Sequence, residues 1–450
     1  MERLCRRGLA WVLLCIAISA VWGTALARIG SEWTDFRAVY AGTRCLMHGH
    51  NPYNVSDQER EYLSEDGPRP PANYRNLQAI NLCVNLPTSF IILAPFAVLA
   101  WGPSHVLWML IAGSAFTLAV LCIWHAGARF SPRVSTVLTC ILAINCESIF
   151  NSGNTGGLVV GLCGIAVWCF LENQFVRIGV LCLAVALAIK PHDAGFIWLY
   201  FILAGSANRK RALQSVAITA AMSLIAVLWI SHVAPTWMHD WTANLAKTSA
   251  YGGINDPGPT GIDHGVPIVD LQSIVSIFRN DPRFYNTASY LFCGSLLVLW
   301  SIQSFRRRFS VRMAWFALAA VVPLTLLTTY HRPWDAKLII LAVPACCMLW
   351  TEGGAIAKTS AWITFIAILF TGEISYVIFE MTAGSIHVDA DGSLETFLTI
   401  LLNRPASVAL LSMGIFYLWV YQRRSDAREA PPASSGSEPR RLREAESGLL

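Results

Sequence analysis

The stretch SHVLWMLIAGSAFTLAVLCIWH, residues 104–125, decides the fold. It holds no Asp, Glu, Lys or Arg over a length that, wound as an α-helix, matches a hydrocarbon core of about 30 Å, or roughly 20 residues. Inside lipid every backbone N–H and C=O needs an internal partner, so a run of this kind crosses as a helix. Similar runs cover Gly8 to Ala27, Val134 to Phe150, Gly157 to Leu171, Val176 to Lys190, Ala194 to Gly205, Ser215 to Val233, Asn286 to Ser304, Val311 to Thr329, Ala336 to Trp350, Ala361 to Glu380 and Ala406 to Tyr421. With Ser104 to His125 these make about 12 spans. The expected fold is all-α, a polytopic transmembrane bundle.

Composition agrees. Of 450 residues 55% are hydrophobic and 14% charged, and mean hydropathy is +0.49, which is a membrane rather than a soluble composition. The net charge of +5 is not a nucleic-acid footprint, because Lys and Arg sit in short clusters between apolar runs instead of on one face. Most of the 13 cysteines lie within apolar runs, with no CxxC and no Cys/His metal spacing, so they read as small packing residues. Cys45 and Cys83 fall in or beside an external loop, where a disulfide can form.

Two segments need separate decisions. Arg3, Arg6 and Arg7 precede an apolar run that ends in Ala25, Leu26, Ala27, a signal-peptidase-like site; since the run is long enough to span and precedes a multispan chain, an uncleaved first helix is expected. Leu82 to Ala100 is apolar but carries Pro87 and Pro95, so it is expected to be re-entrant or interfacial. With that segment not crossing, Arg129, Arg133, Arg177, Arg209 to Arg211, Arg306 to Arg308, Lys358, Arg423 and Arg424 all face the cytoplasm, as the positive-inside rule requires, together with both termini. Residues 1–421 then form the membrane domain, with a first external loop over about 28–81, and residues 422–450, rich in Arg, Glu, Ser and Pro, form a disordered cytoplasmic tail.

The polar residues that this topology leaves outside are the candidates for chemistry. Asp35 follows the first span between aromatics (Trp33, Phe36, Tyr40); a partly desolvated carboxylate there suits a general base, and an N-cap of the next helix is the plain alternative. Gly49, Asn51, Pro52 and Tyr53 read as a defined loop, and Asn151, Ser152, Gly153, Asn154 as a turn between helices. Lys190, His192 and Asp193 close one span, while His331, Arg332, Trp334 and Asp335 form a turn before another. A Lys, an Arg and two histidines on one face can hold a phosphate, whereas cations that merely snorkel to headgroups need no histidine.

In order along the chain, Asp35-Phe36 with Tyr40, Gly49-x-Asn51-Pro52-Tyr53, a proline-bearing apolar run, a glycine turn at Ser152 to Gly156, Lys190-Pro191 and a Trp334-centred turn resemble glycosyltransferase family 87. That family belongs to the GT-C superfamily of polytopic sugar transferases and includes polyprenyl-phosphate-mannose-dependent mannosyltransferases. The resemblance runs from about Trp33 to Pro344. It departs at Gly153-Asn154-Thr155-Gly156, where relatives tend to carry Gly-Gln-x-Asn, and at Asn85-Leu86-Pro87, where they tend to carry Tyr-Pro-Pro.

The resemblance implies that Asp35 is the catalytic base; Arg37, Tyr40, Arg44, Tyr53, Asn154, Lys190, His192, His331, Arg332, Trp334 and Asp335 are expected to bind substrate. It implies transfer of a hexose, mannose among them, from a polyprenyl-phosphate donor to a lipid or glycan acceptor at the outer face of the plasma membrane, with inversion. No cofactor is expected, and no metal, since no acidic pair demands one. A glycan polymerase or ligase using diphosphate-linked donors and a polytopic transporter or flippase are the alternatives. A transporter predicts internal repeats and polar groups at mid-membrane, and neither is evident in the sequence.

Overall fold

A computed structural model of the chain describes residues 2–29, 35–64, 82–151, 153–258, 268–373 and 404–424. Among these residues the fold is entirely helical. In chain order the helices are α1 (Glu2–Ala27), α2 (Asp35–Met47), α3 (Val55–Ser64), α4 (Pro87–Ala97), α5 (Trp101–Ala128), α6 (Pro132–Ile144), α7 (Glu147–Asn151), α8 (Thr155–Leu171), α9 (Val176–Ile189) and α10 (Pro191–Ala204). They continue as α11 (Ser206–Val233), α12 (Trp237–Thr248), α13 (Gln272–Phe278), α14 (Pro282–Arg306), α15 (Val311–Thr328), α16 (Pro333–Ala336), α17 (Val343–Glu352), α18 (Gly354–Phe370) and α19 (Pro405–Arg423). A 3₁₀ segment, Lys337–Ala342, joins α16 to α17 into one rod.

Among the described residues, eight helices or continuous rods are long and apolar enough to cross a membrane, and α4, α8, α9 and α18 are shorter apolar helices. Each of the 12 expected spans coincides with helix, but the boundaries move. The run expected from Ala361 starts at Gly354, straight after a turn whose Gly353 and Gly354 both adopt positive φ, a conformation that favours glycine. Its expected end at Glu380 lies outside the described residues, as do Trp33, Thr34, Ser152, the external loop at 386–393 and residues 425–450. Pro87–Ala97 is a helix of 11 residues. At about 1.5 Å per residue it is only about half as long as the bilayer core is thick, consistent with a segment that does not cross. Cys45 and Cys83, where a loop disulfide could form, are both buried free thiols.

Helices that are apolar all round belong in the middle of a bundle. The windows in α15 and in the Pro333–Glu352 rod are 83% buried, against 11% for α11, which presents Leu224, Ile225 and Leu228 outward. Around that centre α5 packs closely on α8. A side-chain carbon at Gly161 would stand 2.7 Å from the Ala115 backbone and one at Gly164 2.7 Å from the Ala119 methyl, so small residues let these backbones approach.

The helices bring two sets of ends together. One holds the starts of α2, α5, α8 and α10 and the turn after α15. The other holds the ends of α5, α8, α17 and α19 and the starts of α11 and α15. At that second end Arg129 pairs with Glu172, Arg312 and Arg424 both pair with Glu352, and Arg211 donates to the Phe170 carbonyl.

Candidate active site

The start of α8 is the hub of the first end. Asn154 caps it, its Oδ1 accepting from the Gly156 amide at 2.7 Å. The same side-chain amide donates through Nδ2 to Asp35 Oδ2 at 2.6 Å. One residue thus satisfies a helix terminus and orients a carboxylate 119 positions away. Asp35 begins α2, where a capping residue is expected, and is exposed.

A single indole aligns the two arms. Phe36 is fully buried and stacks on Trp108 of α5, with centroids 4.6 Å apart and planes 8° from parallel. Trp108 Nε1 donates to the Gly153 carbonyl at 2.8 Å. The residue after Asp35 and the residue before Asn154 are therefore held by the same side chain.

Gly156 faces the cations. A side-chain carbon there would meet Asp335 Oδ1 at 2.0 Å, Trp334 Cδ1 at 2.8 Å and Lys190 Nζ at 2.9 Å, so only glycine leaves room for this group. Lys190 Nζ donates to Asp335 Oδ1 at 2.7 Å, and Asp335 Oδ2 accepts from the Arg332 amide at 3.2 Å. Burial pushes the Lys190 ammonium toward neutrality, but Asp335 and Asp193 outweigh it and hold Lys190 above its ordinary value. Trp334 is half-buried, with its indole N–H bonded to no described residue.

Arg332, almost wholly buried, donates to the Tyr330 hydroxyl at 2.7 Å and to the Ile254 carbonyl at 2.5 Å, and it lies over the Tyr330 ring. His331 is wholly buried; its Nδ1 is 2.7 Å from the Thr329 carbonyl and its Nε2 3.1 Å from Asp193 Oδ1. Burial pushes His331 down and the Asp193 carboxylate pulls it up further, leaving it above the ordinary histidine value. His192 packs against it, ring centroids 5.1 Å apart, and keeps 43% of its side chain exposed. The second long loop lies along this turn, with the Val269 amide donating to the His331 carbonyl and the Leu271 amide to the Leu327 carbonyl. In it, burial pushes the Asp270 carboxyl up to about 6 against the bonds from Ser273.

Asp35, Asn154, Lys190, His192, His331, Arg332, Trp334 and Asp335 are thus linked into one cluster by these bonds and contacts. The remaining four candidates go elsewhere. Arg37 is buried over the Trp101 ring, 5.2 Å from its centroid. The buried Tyr40 donates its hydroxyl to the Leu99 carbonyl at 2.7 Å. Arg44 reaches Tyr40, the Ala97 carbonyl and Glu61. Tyr53 donates to the Asn85 carbonyl at 2.7 Å and packs on Phe90. Tyr40, Arg44 and Tyr53 tie the first loop to the short proline-bearing helix and its flanks, and Arg37 ties it to the start of α5. Trp108, Gly156, Asp193 and Tyr330 join the cluster; the glycine turn already pointed to Gly156, but nothing in the sequence distinguishes Trp108 among 17 tryptophans.

Long apolar helices carrying charged groups and buried aromatics at one end define a polytopic helical membrane protein. Residues 85–264 match glycosyltransferase family 87, the family that the motifs resemble, and the match indicates a membrane glycosyltransferase. No curated protein matches the chain. The matched segment carries Asn154, Lys190 and His192, and the fold adds Asp35 and the 329–335 turn to them.

Proposed function

We propose that the protein transfers a hexose from a polyprenyl-phosphate donor to a hydroxyl of a lipid or glycan acceptor, with inversion, at the extracytoplasmic face of the plasma membrane. The observation that supports this most is the Asn154–Asp35 hydrogen bond, which sets a carboxylate beside the helix start that also faces Lys190, Trp334 and Asp335. Asp35 takes the proton of the acceptor hydroxyl as its oxygen attacks the anomeric carbon. The bond from that carbon to the phosphate oxygen breaks, and the electron pair leaves with the polyprenyl phosphate. Lys190 and Arg332 stabilise the departing anion. A helix N-terminus favours the same charge.

Asp35→Asn keeps size and most hydrogen bonding but cannot accept the proton. Purified variant, assayed with polyprenyl-phosphate-mannose and extracted acceptor lipids, is expected to fold normally and lose about 10²- to 10⁴-fold in transfer rate. Turnover within a few-fold of the parent removes Asp35 from the base role. Transfer from a diphosphate-linked donor alone moves the protein to the polymerase and ligase class.

A further inference from the structure

We infer that His192, Asp193 and His331 form a binding site for one divalent first-row metal ion, of which Zn²⁺ is the type. Their ligand atoms all lie within 4.8 Å of one another. Asp193 Oδ1 is 3.1 Å from His331 Nε2 and 3.7 Å from His192 Nε2. Ligands about 2.0–2.2 Å from a tetrahedral zinc stand roughly 3.3–3.5 Å from each other, so two of the three spacings bracket what the ion requires. The half-exposed His192 can swing to close the third.

The proton arrangement at His331 favours a cation. The Thr329 carbonyl can only accept, so Nδ1 carries a hydrogen and Nε2 is the nitrogen aimed at Asp193, free to bind a metal once any second proton is displaced. Metal-bound histidines commonly hold their second nitrogen this way, donating to a backbone carbonyl. Asp193 is 2% exposed; its Oδ1 faces His331 Nε2 at 3.1 Å, and its Oδ2 makes no hydrogen bond to any described residue. A buried carboxylate set between two imidazoles is a place where one shared cation can replace the imidazole protons. Lys190, the nearby ammonium, is already engaged by Asp335. Two imidazoles and one carboxylate suit Zn²⁺ and its first-row neighbours better than Mg²⁺ or Ca²⁺.

The sequence conceals the set, because 138 residues separate His331 from Asp193 and no recognisable ligand spacing joins them. The ion pins the start of α10 to the turn after α15. Lys190 lies two residues before one ligand and Arg332 one residue after another, so the ion fixes the spacing of the two cations. That consequence rests on the proposed transfer reaction; the binding itself does not.

The test uses full-length protein in detergent micelles, stripped with chelator and titrated with Co²⁺. The expected result is one equivalent bound with visible ligand-field bands, no sulfur-to-cobalt charge transfer, and displacement by Zn²⁺. His192→Ala, Asp193→Asn and His331→Gln are each expected to weaken Co²⁺ binding by at least about tenfold. The His192 side chain is half-exposed, so His192→Ala tests the site even where the two buried substitutions unfold the protein. No binding up to millimolar Co²⁺, binding undiminished in His192→Ala, or charge-transfer bands that place the ion on a cysteine would overturn the site. Bound Co²⁺ in a protein without transferase activity would leave the site standing and remove the proposed reaction.

Discussion

The two ends of the bundle hold their charges in opposite ways. At the arginine-rich end, Arg129 and Glu172 meet at 2.6 Å with 47% and 10% of their side chains exposed, and the two arginines on Glu352 also reach solvent. At the other end, Lys190 with Asp335 and His331 with Asp193 range from 14% exposed to none. Exposed pairs add about 0–1 kcal/mol, while a buried pair costs several kcal/mol per ion in desolvation. The arginine-rich end is thus explained by cheap solvated contacts. The cluster end holds charges that stability alone does not call for, and sites that bind anions or move protons retain such groups.

Breaking the Lys190–Asp335 pair tests this difference hardest. Lys190→Met leaves a buried carboxylate without its cation and is expected to destabilise the protein by about 3–5 kcal/mol, measured by thermal unfolding in detergent. Adding Asp335→Leu is expected to recover most of that stability while transfer stays lost. Recovery of both would show that the pair is structural. Gly156→Ala drives a methyl into the same pair and is expected to cost about 1–3 kcal/mol, with a lower transfer rate at unchanged expression. A wild-type rate and melting point would mean that the cluster opens easily.

The smaller effects fall away from the cluster. Tyr40→Phe removes the donor to the Leu99 carbonyl and is expected to cost about 1 kcal/mol in stability with donor KM unchanged. A raised KM would place Tyr40 in the substrate site. Arg129→Gln is expected to change stability by no more than about 1 kcal/mol and to leave transfer untouched. A large loss there would erase the contrast between the ends.

The spans were legible because a bilayer imposes one length and one composition on any crossing helix. Asp35 was legible because it follows the first span directly. Tyr40, Arg44 and Tyr53 show why a phenol or guanidinium is ambiguous in a sequence, since a group that can grip a sugar can equally tie down a loop. Each reaches a backbone carbonyl, at 99, 97 and 85, and Arg44 also reaches Tyr40 and Glu61. Asp193 was overshadowed by its neighbour His192, since its meaning depends on His331 across the bundle. Trp108 looked like any apolar residue in a span; its importance lies in an N–H aimed at Gly153, a matter of rotation about the helix axis that composition does not record.

The six 3₁₀ residues Lys337–Ala342 act as a screw thread beneath the cluster. At about 2.0 Å and 120° per residue instead of 1.5 Å and 100°, they advance the tip of the rod by roughly 3 Å and turn it by roughly 120° relative to a continuous α-helix. The rod is packed on every side, so its winding cannot change without displacing neighbours. Rewinding those six residues would retract Asp335 and swing it away from Lys190 without altering either side chain. The registration of the cluster is thus stored in helix pitch, below the surface where the cluster lies.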